Sequence, residues 1–117
     1  MIKDPRKFLD DILFSIGRIE NSMKNMSELE FMHNIDKQDV ILRRLSIIGE
    51  AAKGLPKELT DKHKAVNWKD IAGMRDILIH EYFDIELDIV WRTLTEDLPV
   101  LKNEVTKMLK ELESHQS

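Results

Sequence analysis

Five side chains that can do chemistry lie within eight consecutive residues: Arg75, Asp76, His80, Glu81 and Tyr82. Arginine offers a rigid fork of N–H donors that binds a phosphate or a carboxylate. Histidine exchanges a proton near neutral pH, so it can serve as a general base or a general acid. The segment therefore predicts proton transfer beside a bound anion. The alternative is a polar network that only joins two helices.

The spacing of these residues limits how they can meet on a helix. At about 100° per residue, Arg75 and Tyr82 fall within about 20° of each other, two turns apart. Asp76 and His80 are neighbours at positions i and i+4. Arg75 and His80, however, lie about 140° apart. For these two to act together, the helix must end near His80, or a second copy of the chain must supply part of the site.

Other kinds of reactive site have no comparable support in the sequence. The chain has no cysteine, which excludes a disulfide framework and a Cys-ligated zinc or iron–sulfur site. The four histidines are not at metal-ligand spacing from one another, and neither a glycine-rich phosphate loop nor a local serine-nucleophile signature occurs. We therefore expect no metal and no cofactor, and we interpret His33, His63 and His115 as surface residues.

Apolar residues recur every three or four positions along most of the chain, which predicts an all-α protein. Such stripes run through residues 8–26, 41–55, 71–78 and 87–108. Few glycines and prolines interrupt them, and no segment alternates as a strand would. The pattern predicts an up-and-down bundle of four main helices. Trp68 and Trp91 are interpreted as core or interface residues rather than as platforms for base stacking.

Capping and breaking residues mark the predicted helix ends. Helix starts are predicted after four capping residues, Asp4, Ser27, Asn67 and Asp84. Gly54 stands where a left-handed C-cap belongs. Pro99 removes one backbone donor from the last helical stretch, which predicts a kink or a break just before it.

The charge of the chain is small overall but unevenly distributed. The 117 residues carry a formal net charge of −4, a length that fits one domain over residues 1–117. Residues 37–75 hold nine basic and five acidic side chains, whereas residues 76–117 hold four and ten. No apolar run is long enough to span a bilayer and no secretory leader is recognisable, so we expect a cytoplasmic protein. The charge excludes a broad nucleic-acid platform, and any RNA contact should be local to one cleft.

The segment Arg75-x4-His80-x-Tyr82 resembles the Arg-x4-His-x-Tyr motif of HepT-like toxins, which belong to the HEPN superfamily. The resemblance extends over most of the chain. Arg44 with residues 47–53 resembles the second-helix signature of that family, and residues 67–75 resemble the approach to the motif. Residues 80–84, 90–91 and 97–101 resemble the stretch that follows it. The motif alone is a loose pattern, but with these flanks it is specific.

The resemblance implies a HEPN helical bundle that forms a homodimer, with the Arg–His motifs of both copies facing one cleft. It also implies a metal-independent endoribonuclease, a hydrolase that acts on RNA as the toxin of a type VII-like toxin–antitoxin pair. The implied antitoxin is a MntA-like minimal nucleotidyltransferase that adenylylates the motif tyrosine, here Tyr82. This modification (AMPylation) leaves a nucleotide attached to the toxin through a phosphate, where it competes with RNA by charge and bulk.

The chemistry of RNA cleavage fits the residues of the motif. Cleavage without metal needs a base near the 2′-hydroxyl, an acid near the leaving 5′-oxygen and positive charge on the phosphorane. His80 is the candidate base or acid, and Arg75 is the candidate phosphate ligand. Asp76 is expected to orient the imidazole, and Tyr82 to contact the phosphate or a base. A two-fold dimer brings two copies of each residue to one cleft.

Two points stay open from the sequence. Glu50 on the second helix, with Arg43 or Arg44 nearby, either faces the site in a supporting role or forms an ordinary interhelical ion pair. The function also has an alternative of a different class. The protein can be a non-catalytic helical partner, or the nucleotide-binding subunit, of a minimal nucleotidyltransferase. A pure scaffold has no need to retain Arg75 and His80, which favours the ribonuclease.

Overall fold

Seven α-helices and their connections make up the part of the chain that the computed structural model describes, residues 4–114 without the side chain of Tyr82. The helices are α1 Pro5–Ser22, α2 Glu28–His33, α3 Ile35–Lys53, α4 Lys57–Thr60, α5 Trp68–His80, α6 Leu87–Arg92 and α7 Leu98–Ser114. A 3-10 turn, Tyr82–Asp84, follows α5, and a π-helical segment, Thr93–Asp97, joins α6 to α7. No strand occurs within these residues, so the predicted all-α class is confirmed.

The long helices pack against one another as antiparallel neighbours. Helix α3 lies between α1 and α5, and α1 also packs against α7. Phe8 near the start of α1 contacts Gly54 at the end of α3. Glu20 near the end of α1 pairs with Lys102 near the start of α7 at 3.0 Å. The structure therefore has the four main helices and the up-and-down order that the apolar stripes predict.

The core is built from the apolar stripes of these helices. Helix α1 buries Leu9, Ile12, Ile16 and Ile19, and α7 buries Leu101, Val105 and Met108. Helix α3 is covered on two sides and buries Ile41, Leu42, Leu45, Ile48, Gly49, Ala51 and Ala52. Trp91 packs on Phe31 with ring centroids 5.6 Å apart, and the indole of Trp68 donates to the carbonyl of His63 at 2.9 Å. Both tryptophans thus pack against the core, as predicted.

Three of the four predicted capping residues cap helices. The side chains of Asp4, Ser27 and Asn67 accept from backbone N–H groups at the starts of α1, α2 and α5. The pKa of Asp4 is lowered, mainly by a hydrogen bond from the side chain of Arg6. The fourth prediction is wrong: Asp84 lies in the 3-10 turn, and Glu86 precedes α6 without a side-chain cap.

Gly54 follows α3 as predicted, but its backbone is not left-handed. Its φ of −80° and ψ of −10° are right-handed helical values that any residue can adopt. The reason for glycine is space instead. A Cβ at this position would lie 2.7 Å from the ring of Phe8, so a larger residue would require the ring to move.

The helix is disturbed just before Pro99, as the missing N–H predicts. The N–H of Leu98 bonds the carbonyl of Thr93, five residues back, rather than the one four residues back. This wider turn is a π-bulge, and the chain continues through it into α7. Helices α6 and α7 are thereby one continuous helical stretch with a π-helical segment between them.

His63 is buried, so its interpretation as a surface residue is wrong. It is 5% exposed, with Nδ1 3.0 Å from Glu104 and Nε2 3.1 Å from Glu111, both on α7. Each ring nitrogen of His63 therefore lies within hydrogen-bonding distance of a carboxylate. These contacts attach the segment before α5 to α7. His33 is exposed, as expected, and His115 lies outside the described residues.

Candidate active site

Helix α5 carries the candidate site, and both of its ends are fixed by local chemistry. Asn67 accepts from the N–H of Asp70 at 3.2 Å and starts the helix, while Val66 and Ile71 are buried on either side of the cap. The helix ends at His80, after which the N–H of Glu81 bonds the carbonyl of Ile77. The helix thus ends at His80, which is one of the two alternatives left open by the separation of about 140° between Arg75 and His80.

Close packing of α3 on α5 brings Arg75 to Glu50. A Cβ at Gly49 would lie 2.9 Å from the backbone nitrogen of Arg75 and 3.0 Å from the carbonyl oxygen of Ile71. Contacts that short do not occur with real side chains, so glycine lets the two backbones approach. The next residue, Glu50, places Oε2 2.9 Å from Nε of Arg75.

The Arg75 guanidinium is held by two carboxylates from different helices. Besides Glu50 on α3, Oδ1 of Asp76 on α5 lies 3.2 Å from Nη1. Arg75 remains 36% exposed, so the guanidinium is oriented by these bonds yet accessible to a ligand. Such an arrangement can present a fixed pair of donors to a phosphate.

A cavity of about 610 Å³ opens beside Arg75, between α1, α3 and α5. Its charged and polar lining consists of Asp11, Arg43, Ser46, Glu50, Lys53 and Arg75. Its apolar lining consists of Phe8, Ile47, Ala51, Gly54 and Ile79. The sequence analysis left the role of Arg43 undecided and assigned none to Lys53. The positions 43, 46, 50 and 53 recur at spacings of three and four, and this polar stripe on α3 is the signal that identifies them.

The structure does not bring Arg44 to this cavity. Its guanidinium carbon lies 5.3 Å from the centre of the Phe14 ring on α1, a cation–π contact. Arg43, one residue earlier and about 100° around the helix, faces the cavity instead. Of the two arginines that the sequence left open, the structure therefore places Arg43 with Glu50.

His80 is exposed at the end of α5 and does not line the cavity. Within the described residues no hydrogen bond joins it to Asp76, whose carboxylate bonds Arg75. One chain therefore assembles Arg75, Asp76 and Glu50, but it leaves His80 apart from them. The backbone of Tyr82 belongs to the 3-10 turn after α5, and its side chain lies outside the description.

A second cavity of about 350 Å³ lies on the other side of α5, against α3 and α6. Its apolar lining includes Leu45, Met74, Ile77, Leu78, Ile89 and Val90, and its acidic lining is Glu81, Asp84 and Glu86. Ile77 and Ile89 are 53% and 45% exposed, so this acid-rimmed groove leaves apolar side chains open to solvent.

The model of the family described as ribonuclease HepT-like matches residues 12–108, which include all of α3 and α5 but not Phe8 and Asp11 of α1. The chain belongs to the HepT-like family. The resemblance carried by Arg75-x4-His80-x-Tyr82 and its flanks is thereby confirmed. None of the solved structures compared with this HepT-like chain matches it.

Relatives of the HepT-like chain have names that refer to RNase activity. A Methanocaldococcus jannaschii protein named "Gamma-glutamylcyclotransferase and putative RNase" is 41% identical over 117 residues, which are 100% of this chain and 53% of that protein. A Caldanaerobacter subterraneus subsp. tengcongensis protein named "Putative RNase" is 41% identical over 93% of this chain and 97% of its own length. "Probable ribonuclease HepT" of Thermococcus cleftensis is 34% identical over 94% of this chain and 100% of its own length. The chain spans about half the length of the first relative and nearly all of the other two.

Two further observations describe the HepT-like chain outside the site. Within residues 4–114, no three His, Asp or Glu side chains are grouped as they would be to hold a metal ion. In the same part of the chain, no helix combines the length and the apolar character needed to cross a bilayer.

Proposed function

We propose that this HepT-like chain is a metal-independent endoribonuclease whose residues 1–117 act as one catalytic domain. The observation that carries the proposal is the Arg75 guanidinium, fixed by Glu50 and Asp76 beside a cavity that two further cations line. Such a guanidinium binds the scissile phosphate and stabilises the charge that develops on the phosphorane. The family membership supplies RNA as the substrate.

The reaction is an attack of the ribose 2′-hydroxyl on the adjacent phosphorus. A bond forms between the 2′-oxygen and phosphorus while the bond from phosphorus to the 5′-oxygen breaks. A general base takes the proton of the 2′-hydroxyl and a general acid gives one to the leaving 5′-oxygen. His80 performs one of these proton transfers. The products are a 2′,3′-cyclic phosphate and a 5′-hydroxyl.

The active form is a homodimer. Arg75 faces the cavity beside α3, while His80 is exposed at the end of α5 and does not line that cavity. A two-fold axis near the end of α5 places His80 of one copy beside Arg75 of the other, and the same axis makes a second, identical centre. Size-exclusion chromatography with light scattering tests this: a mass of about twice 13.7 kDa supports the dimer. A monomer that cleaves RNA contradicts it.

The chain acts in the cytoplasm as the toxin of a type VII-like toxin–antitoxin pair. Its partner is a minimal nucleotidyltransferase antitoxin that transfers AMP from ATP to the hydroxyl of Tyr82 and releases pyrophosphate. The support for this pairing is the HepT-like family membership with the tyrosine two residues after His80. Intact-mass measurement after co-expression with such a partner tests it. Added mass of an AMP group on the parent and none on Tyr82→Phe supports the pairing.

The alternative is a non-catalytic subunit of the nucleotidyltransferase, and the groove beside α5 is compatible with it. The acid-rimmed groove beside α5 exposes Ile77 and Ile89 next to three carboxylates, a surface that suits a protein segment carrying apolar and basic side chains. Such a groove fits either function, because a toxin also binds its antitoxin.

RNA cleavage by the isolated, unmodified protein in the presence of EDTA separates the two functions. We expect the parent to cleave single-stranded RNA, and Arg75→Ala and His80→Ala to cleave it at least about 10²-fold more slowly. Circular dichroism of the three proteins controls for folding. A His80→Ala protein that cleaves as fast as the parent contradicts the catalytic assignment, and an inactive, folded, unmodified parent favours the non-catalytic subunit.

A further inference from the structure

The cavity beside Arg75 combines cations and apolar surface in a way that Arg75 alone does not explain. Arg43 and Lys53 line it from α3, one near each end of the polar stripe formed by Arg43, Ser46, Glu50 and Lys53. Glu50 is bonded to Arg75, so its charge is already compensated within the site. Asp11 on α1 is the other acidic group in the lining. Apart from the Glu50–Arg75 pair, the lining thus contains two cations, Arg43 and Lys53, and one carboxylate, Asp11.

The rest of the lining is apolar. Ile47 and Ala51 of α3, Ile79 of α5 and the ring of Phe8 belong to the same cavity as the two cations. Gly54 leaves room for the Phe8 ring beside the end of α3. A volume of about 610 Å³ holds considerably more than one phosphate group. A nucleotide has both of the parts that this lining suits, an anionic phosphate and a base with an apolar face.

We propose that this cavity binds one nucleotide of the RNA strand next to the cleaved bond, with its base against Ile47 and Phe8. Arg43 and Lys53 lie about 15 Å apart along α3, so they pair with different phosphates of the strand. Because Arg75 lines the same cavity, the phosphate it holds and the phosphates on α3 belong to one strand. The inference rests on the proposed ribonuclease function and adds a binding subsite to it. Arg43 and Lys53 are binding residues in this scheme and take no part in proton transfer.

The subsite can be tested by binding measurements that do not depend on cleavage. The probe is a fluorescent single-stranded oligoribonucleotide, titrated with His80→Ala protein over a range of salt concentrations. We expect Arg43→Gln and Lys53→Gln each to weaken binding roughly 10-fold and to reduce the slope of log K against log salt by about 0.7. Arg44→Gln is the matched control, because it removes the same charge from the same helix outside the cavity. Arg43→Lys keeps the charge and should keep the slope.

The outcomes separate the subsite from general attraction to a basic surface. Equal weakening by Arg43→Gln, Lys53→Gln and Arg44→Gln overturns the proposal, since location in the cavity then has no effect. AMP, added as a competitor, distinguishes a free nucleotide from an RNA strand. If AMP displaces the probe at concentrations no higher than the unlabelled oligoribonucleotide requires, the cavity serves a free nucleotide and the RNA assignment is overturned. Thermal unfolding by circular dichroism shows whether each variant is folded.

The same variants distinguish this inference from the proposed function. If the parent cleaves RNA while Arg43→Gln and Lys53→Gln bind and cleave like Arg44→Gln, only the subsite is wrong. If binding depends on Arg43 and Lys53 but the parent never cleaves RNA, the ribonuclease assignment is wrong and the cavity remains a nucleic-acid binding site.

Discussion

Glu50 and Arg75 connect α3 to α5 through an ion pair in which Oε2 of the carboxylate lies 2.9 Å from Nε of the guanidinium. The pair joins residues 25 positions apart in the sequence, and Gly49 makes it possible by letting the two backbones approach. Glu50 pairs with Nε and Asp76 accepts a hydrogen bond from Nη1, so the guanidinium is contacted by carboxylates of two helices. This geometry gives the first three predictions below.

Replacement of Arg75 by lysine should impair catalysis without unfolding the protein. Lysine keeps the charge but lacks the planar fork that bonds Glu50, Asp76 and a phosphate together. We expect cleavage of RNA to fall by about 10²-fold, the scale measured for loss of one donor to a developing oxyanion. Initial rates in EDTA test this, and a rate within about twofold of the parent would show that charge alone suffices.

Glu50→Gln should lower activity while leaving stability almost unchanged. Both partners of the pair are substantially exposed, and exposed ion pairs contribute only about 0–1 kcal/mol to the free energy of unfolding. Misorientation of a catalytic group by about 1 Å can reduce the rate by up to about 10²-fold. We expect a fall in kcat larger than any change in KM. Glu58→Gln, an exposed acid on α4, is the control, and equal effects of both variants would contradict a positioning role for Glu50.

Gly49→Ala should destabilise the α3–α5 packing. The added Cβ meets backbone atoms of Ile71 and Arg75 at about 3 Å, and overpacking of this kind costs about 1–3 kcal/mol. Urea unfolding followed by circular dichroism measures the free energy of unfolding. Gly73→Ala is the matched control on α5, because its Cβ meets nothing within 4 Å. Alanine in place of a helical glycine should add about 0.5–1 kcal/mol there. Similar effects of the two variants would rule out the close approach at Gly49.

His63→Gln should destabilise the protein far more than His33→Gln. His63 contacts Glu104 and Glu111 through its two ring nitrogens, and the single amide group of glutamine cannot reproduce contacts on opposite sides of a ring. Glu104, itself only 12% exposed, loses its closest partner, which should cost about 1–3 kcal/mol. His33 is exposed, so its replacement should change stability by less than about 0.5 kcal/mol. Equal unfolding midpoints for the two variants would show that the contacts of His63 with Glu104 and Glu111 contribute nothing to the free energy of unfolding.

Much of the fold follows from local sequence signals. The apolar spacing is a property of each helix alone, so it predicts the four main helices without knowledge of their neighbours. The same holds for the N-caps at Asp4, Ser27 and Asn67, where side chain and backbone are within three residues of each other. The end of α5 at His80 is one of the two alternatives that the spacing of Arg75 and His80 left open, but it does not by itself bring the two side chains together.

The errors in the sequence-based predictions occur where distant parts of the chain meet. Gly54 carries a typical C-cap signal, but its role is contact with Phe8, 46 positions earlier in the sequence. The residues around His63 have the composition of a surface loop. Only the packing of α7 against this segment buries His63 between two carboxylates. Arg43 and Arg44 are adjacent and chemically equal, so no local rule decides which of them faces the cavity.

The sequence by itself determined the helices, the all-α class and the residues of the Arg–His motif, because hydrophobic periodicity, capping and motif spacing are short-range properties. Only the tertiary structure decided which side chains surround Arg75. Three packing relations decide this. Helix α3 contacts α5 at Gly49, the orientation of α3 places Arg43 in the lining of the cavity, and α1 contributes Phe8 to the same lining. These are packing relations between helices, and their energies depend on residues that are far apart in the chain.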